Sequence, residues 1–143
     1  MMAGMQVSVP ARSDEHATLA ASRGELWTMM RIGGFDEALV RSLVYVLDCE
    51  TQCDEQAMRV LRRLPGCRPG LDASRLARMV HEQAAVLRLD RAIAVESLPA
   101  LLPDDKDGAA QLLESIASVL GADARDRVVS QRFGQVARVV SFA

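Results

Sequence analysis

The sequence predicts an all-α fold, a compact bundle of about seven short helices, and three observations lead there. Half of the 143 residues are hydrophobic but only 3% are aromatic, so the core is built from Leu, Val, Ala, Ile and Met. That mixture suits helices packed on helices better than strands, which favour aromatic and β-branched residues. Apolar residues also recur at three- and four-residue spacing in one segment after another, each bounded by Asp, Gly or Pro in the order that helix ends require.

Residues 1–21 show no sustained period and are rich in small and polar types, so they read as a mobile N-terminal arm that leaves 22–143 as a single helical domain. "SRGE" offers Ser22 as a cap and Glu25 as its reciprocal partner. The short helix that follows carries Leu26, Trp27, Met30 and Ile32, and Gly33–Gly34 stops it. "FDEALVRSLVYVL" places Phe35, Leu39, Leu43, Val46 and Leu47 at helical spacing, with Asp36 and Glu37 in the dipole-favoured first turn.

The next helix, "EQAMRVLRRL", is capped by Asp54, with Cys53 and Met58 placed as a hydrophobic staple, and "PGCRPG" is expected to close it. Asp72 caps a longer helix with Leu76, Met79, Val80, Gln83 and Leu87 along one face. Asp90 caps "RAIAVESLPALL", which Pro99 must kink or break. The acidic "PDDKDG" leads into "AAQLLESIASVL", Gly121 ends that helix, and Asp123 is expected to cap the last one. Val129, Phe133, Val136 and Val140 then form one apolar stripe. Two stretches, Leu39–Leu64 and Ala92–Leu120, both read helix, acidic turn, helix, which suggests a duplicated helical hairpin.

The net charge is −2 with both signs scattered, so there is no nucleic-acid footprint. No apolar run reaches the roughly 18–20 residues of a membrane span. The N-terminus lacks the basic-then-apolar plan of a signal peptide. A cytoplasmic location is therefore expected, where three cysteines stay reduced.

The strings "GGFDEALVRSLVYV", "CDEQAMRVLRRL", "MVHEQAAVLRLDRAIAVESLPALLPDD" and "LLESIASVLG" span Gly33 to Gly121. In their order the chain resembles the tellurite-resistance TerB-like helical domains, and looks most like the version at the C-terminal end of certain α/β-hydrolases similar to poly(3-hydroxyalkanoate) synthases. The resemblance implies an all-α fold of duplicated hairpins with no catalytic serine. It also makes such a hydrolase, or a stress-response system, the expected partner class. TerB-like proteins can hold a metal through Asp-Gly in an acidic turn and a later helix Glu. Here Glu50 and Thr51 fall at the Asp-Gly positions and Ala57 at the Glu position. In the second hairpin Asp104, Asp105 and Asp107 remain, but Ala110 stands at the Glu position. Both turns lack a ligand, so no metal is expected.

The remaining chemistry-bearing residues point the same way. Cys49, Cys53, Cys67 and His81 are a permissible zinc set, but their spacings of four, fourteen and fourteen match no compact finger. Cysteine also packs as a small hydrophobe. "HEQAA" at His81 has Ala85 where a zincin needs its second histidine. No Ser, His and acid set stands out, and the other histidine, His16, lies in the arm. An enzyme is not expected, nor a cofactor.

The expected function is a non-catalytic protein-interaction domain, with self-association left open. Its candidate contact residues are Trp27 and Met30 in "LWTMM" and the arginines Arg59, Arg62 and Arg63, with Arg68 after them. The alternative is a metal-responsive stress module that uses Asp104, Asp105 and Asp107, or Cys49 and Cys53, and that metal would stabilise by linkage.

Overall fold

The computed structural model describes residues 24–104 and 107–141. The expected arm of residues 1–21, His16, the Ser22 cap, Asp105 and Lys106 lie outside the described residues. Among those described there is no strand, and the chain is an all-α bundle.

Helix α1 covers residues 24–30 and stops at the Gly33–Gly34 pair. Gly33 has φ +137°, a conformation that L side chains avoid. A Cβ there would lie 3.0 Å from Glu37 Cγ and 3.3 Å from Leu101 Cδ2. Glu37 has little room to yield, because its carboxylate accepts the Gly34 N–H at 2.8 Å and so fastens the start of the next helix. Gly33→Ala is therefore expected to cost about 1–3 kcal/mol in urea unfolding. At Gly34 the nearest atom to an added Cβ is 3.6 Å away, and Gly34→Ala should move the midpoint much less. Equal midpoints for the two variants would refute the strain at Gly33.

Helix α2 (Phe35–Val46) is the centre of the molecule. Every residue from Ala38 to Val46 is buried, so this helix is enclosed all round rather than half-sunk in a surface. Its walls are α5 (Ala73–Leu89), α8 (Asp107–Leu120) and α9 (Arg127–Ser141), with α6 (Arg91–Glu96) and α7 (Leu98–Leu101) at one end. The predicted face of α5 is in place, with Leu76, Met79, Gln83 and Leu87 buried and Val80 at the margin. The α9 stripe is present too, with Val129, Val136 and Val140 buried and Phe133 half-buried.

Three predicted caps are formed. Asp54, Asp72 and Asp90 accept the backbone N–H of Ala57, Arg75 and Ile93 at 2.8, 2.8 and 3.0 Å. The cap of α9 is a correction. Asp126, not Asp123, accepts from Val128 and Val129 at 3.0 and 3.1 Å. Gly121, with φ +53°, ends α8 but leads into a 3-10 turn, Gly121–Arg125, rather than straight into α9. Within that turn Asp123 is engaged by Gln56 at 3.0 Å and Arg63 at 3.1 Å.

Two of the seven expected segments are each divided. Helix α3 (Glu55–Leu61) is followed by a separate helical turn, α4 (Leu64–Cys67), and α6 is followed by α7. Pro65 and Pro99 both sit in the first turn of the new helix, where a missing N–H costs nothing. "PGCRPG", expected to close a helix, thus begins one.

Candidate functional site

Several charged side chains hold one helix to another. Arg41 is the clearest case, and it was not among the sequence-predicted residues. It is fully buried on α2, where its Nε donates to Gln83 Oε1 at 2.8 Å and its Nη1 to the carbonyls of Met30 and Ala94, both at 3.0 Å. Both carbonyls lie near the C-terminal ends of α1 and α6, where the helix dipole is negative. Burial lowers the Arg41 pKa to about 10, opposed by the Glu37 charge, so the group remains a cation at neutral pH.

The first acidic turn is likewise consumed. Glu50 is buried and its Oε1 pairs with Arg91, while its backbone carbonyl accepts from Arg88. These contacts clamp the α2–α3 loop onto the α5–α6 corner. Among the described residues Glu50 Oε2 has no hydrogen-bond partner. Asp48, whose φ is +55°, pairs with Arg132 at 3.2 Å. Arg132 also stacks on the Tyr45 ring and donates to the Tyr45 carbonyl at 2.7 Å, while the Tyr45 hydroxyl donates to Gln135. In the second acidic turn Asp104 is exposed and Asp107 opens α8.

Cys49 is buried, Cys53 half-buried and Cys67 exposed. The Cys53 thiol donates to the Cys49 carbonyl at 3.5 Å, and burial, then the Cys53 thiol beside it, push the Cys49 thiol up from its ordinary pKa. Among the described residues no three His, Cys, Asp or Glu side chains converge as a metal donor set.

The structure separates the residues proposed for contact. Met30 is fully buried, so it belongs to the core and not to an exposed face. Trp27 is half-buried beneath Arg31, whose guanidinium lies 5.8 Å from the ring centroid, at the rim of a cleft that also holds Pro99, Pro103 and Asp104. The apolar residues that "LWTMM" and its continuation do expose are Met29, at 45%, and Ile32, at 69%.

The arginine cluster divides in the same way. Arg63 donates to the last carbonyls of α8, Val119 at 2.9 Å and Leu120 at 3.1 Å, and so caps that helix from a neighbouring element. Arg68 pairs with Asp36 at 2.7 Å and stacks on Phe35. The hydrogen bond from Gln56, and next to it Arg63 and Arg59, hold the Asp123 carboxyl below its ordinary pKa. Arg62 is exposed, and its side chain makes no hydrogen bond or ion pair among the described residues.

Arg62 stands at the edge of a feature visible only in three dimensions. Between the α3–α4 segment and α5 runs an open, mainly apolar groove of about 320 Å³. One wall is Met58, Leu61 and Pro65, with Arg62 at its edge. The other wall is Ala73, Leu76, Ala77 and Val80. Leu61 and Leu76 are buried, and the remaining apolar members keep some exposure. Either wall taken alone is an ordinary helical stripe, so its sequence signal was indistinguishable from core.

Compared with known protein families, curated proteins and solved structures, the chain matches none.

Proposed function

We propose that this chain is a non-catalytic helical protein-interaction domain, of the TerB-like type its sequence resembles, which holds a partner protein in the groove between α3–α4 and α5. The observation that carries this reading is the groove itself, two helical walls with an apolar lining left open to solvent. Contiguous apolar concavities of this kind are where proteins bury anchor side chains of their partners. The partner class that the resemblance suggests is a poly(3-hydroxyalkanoate)-synthase-like α/β-hydrolase or a component of a stress-response system.

A photo-crosslinking residue at Ala77, on the groove wall, and another at Ala117, exposed on α8, test this in the native cells. Ala77 should capture one defined protein that Ala117 does not. That protein, purified, should bind the purified chain, and Ala77→Arg should weaken the complex about tenfold or more with helicity unchanged. Capture of the same proteins from both positions would count against the groove, as would a purified complex indifferent to Ala77→Arg.

A further inference from the structure

The shape of the groove indicates what kind of element covers it. Its walls are two stripes. On one side Met58 and Leu61 of α3 are continued across the turn by Arg62 and by Pro65 of α4; on the other are Ala73, Leu76, Ala77 and Val80, at i, i+3, i+4 and i+7 of α5. A seam between two such stripes is the surface into which a third helix sets its ridge of side chains. An extended peptide is disfavoured, because strand addition needs a row of unpaired backbone amides and these walls are helical. The contact is short: Ala73 to Val80 is seven steps of about 1.5 Å, or two helical turns. Ala73 and Ala77 are both exposed and small, so an incoming backbone can approach closely over the buried Leu61 and Leu76.

Charge then narrows the partner. Arg59, Arg62 and Arg63 all lie at this end of α3, and the carboxylate that answers them is Asp123, which pairs with Arg63 at 3.1 Å and also feels Arg59. Among the described residues Arg62 is left without a carboxylate, and none lines the groove. A basic helix would be repelled here and an acidic one would complete an ion pair at the rim.

Resting on the interaction reading, we propose that the groove receives an amphipathic α-helix of a partner protein. It makes contact over about two turns, with apolar side chains inward and a carboxylate on the edge that meets Arg62.

The test uses the full chain and a displayed library of 15-residue helices on a fixed scaffold, with an apolar face kept constant and the edge positions randomised. Enriched helices should carry Glu or Asp at one edge position, and acidic edges should bind about 2–5-fold tighter than neutral ones, the size expected of one exposed pair. Arg62→Glu should reverse the preference towards Lys and Arg, and Ala77→Arg should abolish enrichment of these helices. Enriched helices with no charge bias, or a bias that Arg62→Glu leaves unchanged, would overturn the acidic partner and leave the groove. Helices that bind Ala77→Arg equally well would place the interaction on another face, overturning the groove while an interaction domain stands. A library with no enrichment over an unrelated helical protein would overturn the helix proposal, whereas the protein-interaction reading is decided separately by the crosslinking at Ala77.

Discussion

Arg41→Ala is expected to lower the stability of the domain by about 3–5 kcal/mol, the largest loss predicted for any single substitution here. Removing the guanidinium leaves Gln83 Oε1 and the carbonyls of Met30 and Ala94 facing a void in the core. Each abandoned buried acceptor costs roughly 1–3 kcal/mol, and the void adds a cavity cost. Against this stands the relief of no longer burying a charge, whose cost shows in the lowered pKa of Arg41. Relief is smaller than loss because one cation serves three acceptors on three different elements. Urea unfolding followed by helical circular dichroism measures the change. A loss below about 1 kcal/mol would mean that burial of the charge and the bonds it makes nearly cancel. Gln83→Ala in the same background should add much less than it does in the native chain, since the two residues share one bond.

Leu43→Ala is expected to cost about 3 kcal/mol and to lower the melting temperature by about 10 °C. Leu43 is fully buried on the helix that α5, α8 and α9 enclose, so no neighbour can move in from a free side to refill the space. Val80→Ala, on the half-exposed groove wall, should cost under about 1 kcal/mol. A calorimetric scan of the two variants compares them directly, and similar shifts would contradict the enclosed position of α2.

The local features were legible in the sequence and the long-range ones were not. Asp54, Asp72 and Asp90 each precede an apolar-periodic run, and a cap is an interaction between near neighbours, so sequence order is enough to find it. Between Asp123 and Asp126 order is not enough. The outcome turns on Arg63 and Gln56, some sixty residues earlier, which hold Asp123 in the turn and leave Asp126 to cap. Pro65 and Pro99 were readable as interruptions but not as starts, since a proline that stops one helix also suits the first turn of the next.

Arg41 illustrates the same limit from the other direction. A lone cation inside "ALVRSLVYV" was a signal, as was Gln83 on an apolar face, but their meaning depends on carbonyls from α1 and α6 arriving at the same point. The arginines at the end of α3 looked like one surface cluster and are three different things: a cap for α8, a neighbour of Asp123, and a cation beside the groove whose side chain is unpaired among the described residues.

The burial of α2 on all sides has a consequence for how the chain reaches its structure. The two helical hairpins read from the sequence would, as autonomous units, each bury their own apolar faces. Here α2 belongs to the first half by order, yet two of its principal walls, α8 and α9, come from the second. A chain severed between Leu102 and Asp107 would yield one fragment whose central helix keeps α5 but lacks its α8 and α9 walls, and another with those walls unfilled. Neither is expected to fold alone, and mixing the pair should restore structure by association, with α2 as the plug. The repeat seen along the sequence is thus one of pattern, and the whole bundle is the expected folding unit.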